Sequence, residues 1–348
     1  MALTERLSLN DLMTQSKTQP TARSAALTNP AAPVQLNVEP ESGSENRLDI
    51  RPQAPLAKLT TFKVGGNAEW FALPKTPQQF KAALDWGRSH NLPITVLGAG
   101  SNLLISDYGI EGLVICVRAL RHSEFDAQSG RVIAAAGEPW SSLAWKAARH
   151  GLKGFEWTIG IPGTVGGAVV MNAGAHGGET ADILVEAEVA NPDGTMSVLK
   201  PEDLNFRYRT SDLQGGDRIV TTATFQLSAG HDPSQVKADT AEDLRSRRET
   251  QPYHLPNCGS VFRNPPGTDS QGRPYSAGRL IQDAGLKGFT IGSAQISELH
   301  ANFIVNLGGA TACDVLSLIR HAQTVIKARN NVALETEVKI IGQRHTSK

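Results

Sequence analysis

Gly160-Ile161-Pro162-Gly163-Thr164-Val165-Gly166-Gly167-Ala168 runs on into Met171-Asn172-Ala173-Gly174-Ala175-His176-Gly177-Gly178-Glu179. Packing alone poorly explains glycine this dense. A backbone stripped of side chains lets a flat or bulky group lie directly against it, which suits a large planar cofactor. The rival reading is a glycine-lined seam between two packed domains. A second loop, Leu97-Gly98-Ala99-Gly100-Ser101-Asn102-Leu103-Leu104, follows an apolar run. Its glycines let a phosphate approach backbone N–H groups, and Ser101 and Asn102 add donors. It is not the dinucleotide fingerprint, which needs a third glycine where Leu103 stands and a helix after it. A plain glycine-rich turn stays open as the alternative here.

The rest of the chain frames these loops. Its 348 residues suit two to three domains with a large buried core. Lys+Arg and Asp+Glu both number 34, a net charge of zero, which argues against a nucleic-acid partner. No apolar run approaches the ~20 residues of a membrane helix. Cys116, Cys258 and Cys313 are far apart and odd in number. They make no metal set or redox pair, and a reducing cytoplasm is the default compartment. The nine histidines form no H-x-x-x-H cluster, so no metal site is expected. Residues 1–50 contain no aromatic residue and are rich in Thr, Ser, Ala, Gln and Pro. They read as a disordered tail without the apolar core of a signal peptide.

From about residue 55 strands and helices alternate, giving an α+β fold. Thr76-Pro77 reads as a helix start, with Phe80, Ala83 and Leu84 on one face. Ile94–Leu97 is a short strand, and Leu113, Ile115 and Val117 alternate as in a half-buried one. Leu143, Ala144, Ala147 and Ala148 mark a helix closed by Gly151. Strands follow over Ile183–Ala190, Met196–Leu199 and Ile219–Leu227, then a polar helix over 233–250. A last helix starts at Thr311, and a last strand holds Val338 and Ile340.

Three further segments carry chemistry. In Phe206-Arg207-Tyr208-Arg209-Thr210-Ser211, an extended backbone puts Arg207 and Arg209 on one face, suited to a carboxylate or phosphate. An isolated Arg-x-Arg is otherwise a solvated strand edge. Cys258-Gly259-Ser260-Val261-Phe262-Arg263-Asn264-Pro265 is a candidate site loop. Cys258 reads better as a small buried thiol than as a nucleophile paired with His254. Leu334-Glu335-Thr336-Glu337-Val338, as a strand, places both glutamates on one face.

In this order, and together with Ala277–Ile281 and His300–Asn306, these motifs resemble the UDP-N-acetylenolpyruvoylglucosamine reductase family over about residues 52–342. The Gly-Ser-Val-Phe-Arg-Asn-Pro form resembles the shorter family type, which lacks an extra substrate-covering loop. The resemblance implies a two-lobed FAD-binding domain of the vanillyl-alcohol-oxidase type, with lobes at 51–120 and 121–229, and a C-terminal substrate domain at 230–345. It implies an NADPH-dependent flavoenzyme of peptidoglycan synthesis that reduces the enolpyruvyl group of UDP-N-acetylglucosamine enolpyruvate, with hydride from flavin N5 to C3. The catalytic residues it implies are Arg209, Ser260, which protonates C2, and Glu337. FAD contacts fall on Gly98, Ala99, Gly100, Ser101, Asn102 and Leu103, and on Ile161, Pro162, Gly163, Thr164, Gly166, Gly167, Asn172, Ala173 and Gly174. Substrate contacts fall on Tyr208, Arg209 and Asn264. FAD is expected to be non-covalent, because the Gly98–Leu103 loop has no tethering histidine. NADPH, with no Rossmann module of its own, is expected to alternate with substrate in one pocket. A cytoplasmic monomer is expected. Thr336 departs from the family's usual proline, which touches the backbone before Glu337 and not its carboxylate. The rivals are an oxidase of the same cofactor fold and a non-catalytic nucleotide-sugar binder.

Overall fold

The structure, a computed structural model, describes residues 48–343. The tail expected over 1–50 therefore lies almost wholly outside the described residues. The chain enters through an antiparallel pair, β1 (Ile50–Pro55) and β2 (Asn67–Ala72). The Thr76 hydroxyl accepts from the Gln79 N–H at 3.2 Å and Pro77 takes the first helical position, which starts α1 (Pro77–Ser89). Next come β3 (Ile94–Leu97), β4 (Leu103–Ile105) and β5 (Ile110–Cys116). The sheet order is β1-β2-β5-β3, with β5 parallel to both neighbours. The half-buried strand expected at Leu113–Val117 is corrected here. Leu113, Val114, Ile115 and Cys116 are all buried, because apolar layers cover both faces. Leu113 and Ile115 share a cluster with Phe80 and Leu84 of α1, while Val114 and Cys116 share one with Leu56, Phe71 and Leu97. Central parallel strands read as continuous apolar runs for this reason.

The second lobe begins with β6 (Ser123–Phe125), β7 (Arg131–Ala135), α2 (Trp140–Arg149) and α3 (Val165–Met171). A short hairpin, β8 (Gly174–Ala175) and β9 (Gly178–Glu179), leads through α4 (Thr180–Ile183) to β10 (Leu184–Ala190), β11 (Met196–Leu199) and β12 (Ile219–Gln226). They form an antiparallel sheet of order β11-β10-β12-β7-β6. Trp140 is the anchor of its core, fully buried with ring centroids 5.4 Å from Phe155 and 5.5 Å from Phe225. Each such aromatic pair adds about 0.5–1.5 kcal/mol beyond the burial itself. The polar helix α5 (Pro233–Thr250) packs on α2, and its Leu244 joins this same core. The helix thus sits with the second lobe, although a boundary at 230 assigns it to the last domain.

The last domain holds α6 (Ala277–Asp283), the sheet β13 (Thr290–Ile291), β14 (Ala294–Ile296) and β15 (Ile304–Asn306), and α7 (Ala312–Asn330). Three ties seat it on the first lobe. Phe62, Val64 and Leu104 join its apolar core. The Asp107 carboxylate accepts the Ala312 and Cys313 N–H groups at 2.8 and 3.0 Å, capping α7 from outside. The final strand β16 (Lys339–Ile341) pairs in parallel with β4.

Candidate active site

All three parts of the fold face one cleft of about 1840 Å³, larger than the roughly 300–1,000 Å³ of a typical ligand pocket. Its walls include Gly98–Leu103, Ile161–Thr164, Gly166, Gly167, Ala173, Gly174, Arg209, Ser260 and Glu337. Most of the residues singled out in the sequence thus converge. Asn172, Tyr208 and Asn264 do not line the cleft. Asn172 is fully buried at the left-handed end of α3, where its side chain donates to the Arg207 carbonyl at 3.2 Å and accepts the Ala181 N–H at 3.0 Å. The Asn264 side chain accepts the Ala277 N–H at 3.0 Å, at the start of α6. Tyr208 is half exposed, with the Arg209 guanidinium 4.9 Å above its ring.

The shared strand face expected for Arg207 and Arg209 is corrected by the structure. The segment is a tight turn in which Arg207 and Thr210 exchange backbone hydrogen bonds of 2.9 Å, and Arg209 has φ +54. The two side chains differ in burial, although both line the cleft. Arg207 is 72% exposed and lies 3.8 Å from Asp212. Arg209 is 21% exposed, donates to the Gly174 carbonyl at 2.6 Å, and places Nε 3.3 Å from Glu337 Oε1.

Ser260 and Glu337 lie on adjoining segments. The Glu337 N–H donates to the Val261 carbonyl at 2.8 Å and the Arg263 N–H to the Glu335 carbonyl at 2.9 Å. Buried Asn302 clamps the loop, accepting the Phe262 N–H at 3.0 Å and donating to the Phe262 carbonyl at 2.8 Å. Of the two glutamates expected on one face, Glu335 is exposed and only Glu337 turns into the cleft. The segment makes a single bridge, Thr336 to Phe262, in place of a regular strand, so alternation does not govern it. Burial pushes the Glu337 carboxyl above the usual range, against the opposing pull of Arg209, Arg263 and Lys339. Cys258 is a buried thiol pushed up to about 12 by burial, which keeps it neutral.

The two glycine loops are tied together and to the Glu337 segment. The Ser101 hydroxyl donates to the Pro162 carbonyl at 2.6 Å, and the Asn102 amide to the Glu337 carbonyl at 3.2 Å. Arg118, which the sequence analysis does not single out, takes the Gly98 carbonyl at 2.9 Å through Nε, and its Nη2 binds the carbonyls of Leu59 and Ala99. Arg118 lies outside the cleft, so it draws the loop's acceptors to the side away from it.

Comparison with known proteins settles the lineage. Residues 251–341 match the C-terminal domain of UDP-N-acetylenolpyruvoylglucosamine reductase, and residues 68–200 match an FAD binding domain. The reductase of Trichormus variabilis is 55% identical over 295 residues, covering 85% of this chain and 87% of the relative. The Synechocystis enzyme is 51% identical, covering 84% and 91%. This chain belongs to the UDP-N-acetylenolpyruvoylglucosamine reductase family. The crystal structure of the family member from Thermus caldophilus agrees, with a TM-score of 0.68 at 38% identity, covering 84% of this chain and 98% of that one.

The cleft wall fits the FAD of this family. The Thr164 hydroxyl is buried, lines the cleft and has no hydrogen-bond partner in the protein, so a ligand acceptor or donor would satisfy it. A Cβ on Gly163 would meet nothing closer than 3.8 Å, and one on Gly167 nothing closer than 3.6 Å. Those two glycines leave room at the cleft. Gly98, Gly166 and Gly174 are different, since a Cβ there would lie within 3.0 Å of Thr164, Ala136 or Gly178. Within the run, Gly166 and Gly174 therefore serve close packing inside the second lobe, and Gly163 and Gly167 leave open space at the cleft.

Proposed function

We propose that the chain catalyses the reduction of UDP-N-acetylglucosamine enolpyruvate to UDP-N-acetylmuramate, a step of peptidoglycan synthesis, with FAD as cofactor and NADPH as reductant. The convergence of Arg209, Ser260 and Glu337 on a glycine-lined cleft carries this reading. The substrate double bond is conjugated to a carboxylate. Hydride at C3 sends charge onto C2 and the carboxylate, and a proton must follow at C2. FAD, when bound, supplies the hydride.

The chain's own residues handle the charge and the proton. Arg209, held by Gly174 and Glu337, stabilises the developing enolate. Glu337, its carboxyl raised by burial, orients Arg209 and in its protonated form donates a further hydrogen bond. The Ser260 O–H bond breaks as the new C–H bond forms at C2, and solvent then reprotonates the serine oxygen. Serine is a weak acid, but an enolate carbon is the stronger base, so the transfer runs downhill. The sum consumes NADPH and a proton and yields NADP+ and the reduced ether. NADPH and the sugar nucleotide use the same cleft in turn, a ping-pong scheme.

Tyr208 and Asn264 stand outside the cleft wall, so their assignment to the nucleotide sugar rests on the family resemblance alone. FAD occupies the two lobes, the second with α5 packed on it, and the residues after α5 take the substrate. A cytoplasmic monomer is proposed with this activity, Arg209, Ser260 and Glu337 being supplied together by this chain. The test is NADPH oxidation by the purified protein. Consumption that depends on the enolpyruvyl sugar nucleotide is expected. Equal consumption in air without it would identify an oxidase, and none at all with substrate present would remove the assignment.

A further inference from the structure

The turn that carries Arg209 is held from the far side of the cleft. Arg263 Nη2 lies 3.2 Å from the Arg209 carbonyl oxygen and 3.2 Å from Thr210 Oγ1. The Arg263 N–H meanwhile donates to the Glu335 carbonyl, two residues before Glu337. One residue thus joins the Glu337 segment by its backbone and the Arg209 turn by its side chain. The Arg209 carbonyl takes a second donor from Gln214 Nε2 at 2.9 Å. That carbonyl belongs to a residue at φ +54, a backbone conformation that long side chains hold only when their surroundings enforce it.

We infer that Arg263 is a positioning residue for the reduction, locking the left-handed Arg209 turn against the Glu337 segment so that the Arg209–Glu337 pair keeps its geometry. The inference rests on the assignment of Arg209 and Glu337 to the substrate. A purely structural tie between domains is the competing explanation, and that task has other providers. Asp107 caps α7, β16 pairs with β4, and the Asn306 amide donates to the Phe62 carbonyl at 3.1 Å. Arg263 also supplies charge. Glu337 faces Arg209 from the turn, Arg263 from the Ser260 loop, Lys339 from its own segment, and the neutral Cys258 thiol. Losing the Arg263 cation moves the Glu337 carboxyl further up.

The test compares Arg263→Met, which keeps the stem without donors or charge, with Arg263→Lys, which keeps the charge, both as FAD-loaded full chains. Stopped-flow absorbance reads two steps, bleaching of the flavin by NADPH and its reoxidation by UDP-N-acetylglucosamine enolpyruvate. In the Met variant bleaching stays near the wild-type rate, while reoxidation slows by roughly 10²-fold, the scale of a misplaced group. The pH limb of reoxidation set by Glu337 moves to higher pH in the Met variant and stays in place in the Lys variant. FAD content and thermal midpoint remain near wild type. Reoxidation at the wild-type rate with an unmoved limb would overturn the inference, and so would loss of FAD and a collapsed midpoint in both variants. Should Arg263→Met fail to fold, Arg263→Gln, which also removes the guanidinium and its charge, takes its place, and a wild-type rate there overturns the inference equally. Arg209→Lys separates the two levels. If it reoxidises normally, the assignment of Arg209 fails; if it is impaired while Arg263→Met is not, only the role of Arg263 fails.

Discussion

Replacing Ser260 by alanine removes a hydroxyl from the cleft wall and leaves intact the Asn302 clamp that holds its loop. Flavin bleaching by NADPH needs no proton donor at C2, so it continues at a near-normal rate. Reoxidation by the enolpyruvyl sugar slows by about 10²–10⁴-fold, the range for a positioned general acid, and Ser260→Cys retains more activity than Ser260→Ala. A variant that instead fails at bleaching would move this loop to NADPH binding. Glu337 makes a second prediction, in stability. Its folded pKa is raised above the unfolded value, so its contribution is present below the unfolded pKa and fades as pH rises through the folded one. Glu337→Gln cannot ionise. The thermal midpoint of wild type relative to Glu337→Gln therefore falls as pH rises above the ordinary carboxylate range, through the raised folded pKa. A difference that is flat or rises with pH contradicts the burial argument. The side-chain types at 209, 260 and 337 are legible from their motifs. Arg118 is not, because its task depends on three carbonyls, those of Leu59, Gly98 and Ala99, that only the fold gathers.

Among the elements, α3 joins the cofactor wall to the Arg209 turn. Its N-terminal half supplies Gly166 and Gly167, and the Asn172 that ends it holds the Arg207 carbonyl. Gly167→Ala separates fold from ligand. The new Cβ meets only Thr164 Oγ1 at 3.6 Å, and exchanging glycine for alanine in a helix adds about 0.5–1 kcal/mol. The flavin-free protein should therefore melt at a higher temperature while its FAD affinity drops, because the methyl enters the cleft. Unchanged flavin affinity would place the cofactor elsewhere. Regular elements were largely legible: Pro77–Ser89, Ile94–Leu97, Met196–Leu199 and Pro233–Thr250 stand where capping and periodicity put them. Failures fell where tertiary contacts decide. Alternation misreads 206–211 and 334–338, because the backbone of the first is bent by Arg263, Gln214 and Asn172 and the second makes one bridge to Phe262. It misreads β5 because a helix covers one of its faces.

For the molecule as a whole, the Arg209–Ser260–Glu337 cluster exists only when the last domain sits on the FAD-binding lobes. Arg209 comes from one part and Ser260 and Glu337 from the other, and Asn102 of the cofactor loop is hydrogen-bonded to the Glu337 carbonyl. The cofactor loop and the Glu337 segment thus face one cleft, which the proposed scheme has the sugar nucleotide and NADPH use in turn. No histidine lies in the Gly98–Leu103 loop, so acid precipitation should leave the yellow flavin in the supernatant; colour retained in the pellet would indicate a covalent tether. Whether a single cleft passes electrons from NADPH to the enolpyruvyl group is decided by an anaerobic double-mixing experiment. The protein is first reduced with a stoichiometric amount of NADPH and then mixed with UDP-N-acetylglucosamine enolpyruvate. The flavin should bleach on the first mix and regain its full absorbance on the second, with release of UDP-N-acetylmuramate. A flavin that bleaches yet stays reduced in the presence of the enolpyruvyl sugar would contradict the proposed scheme.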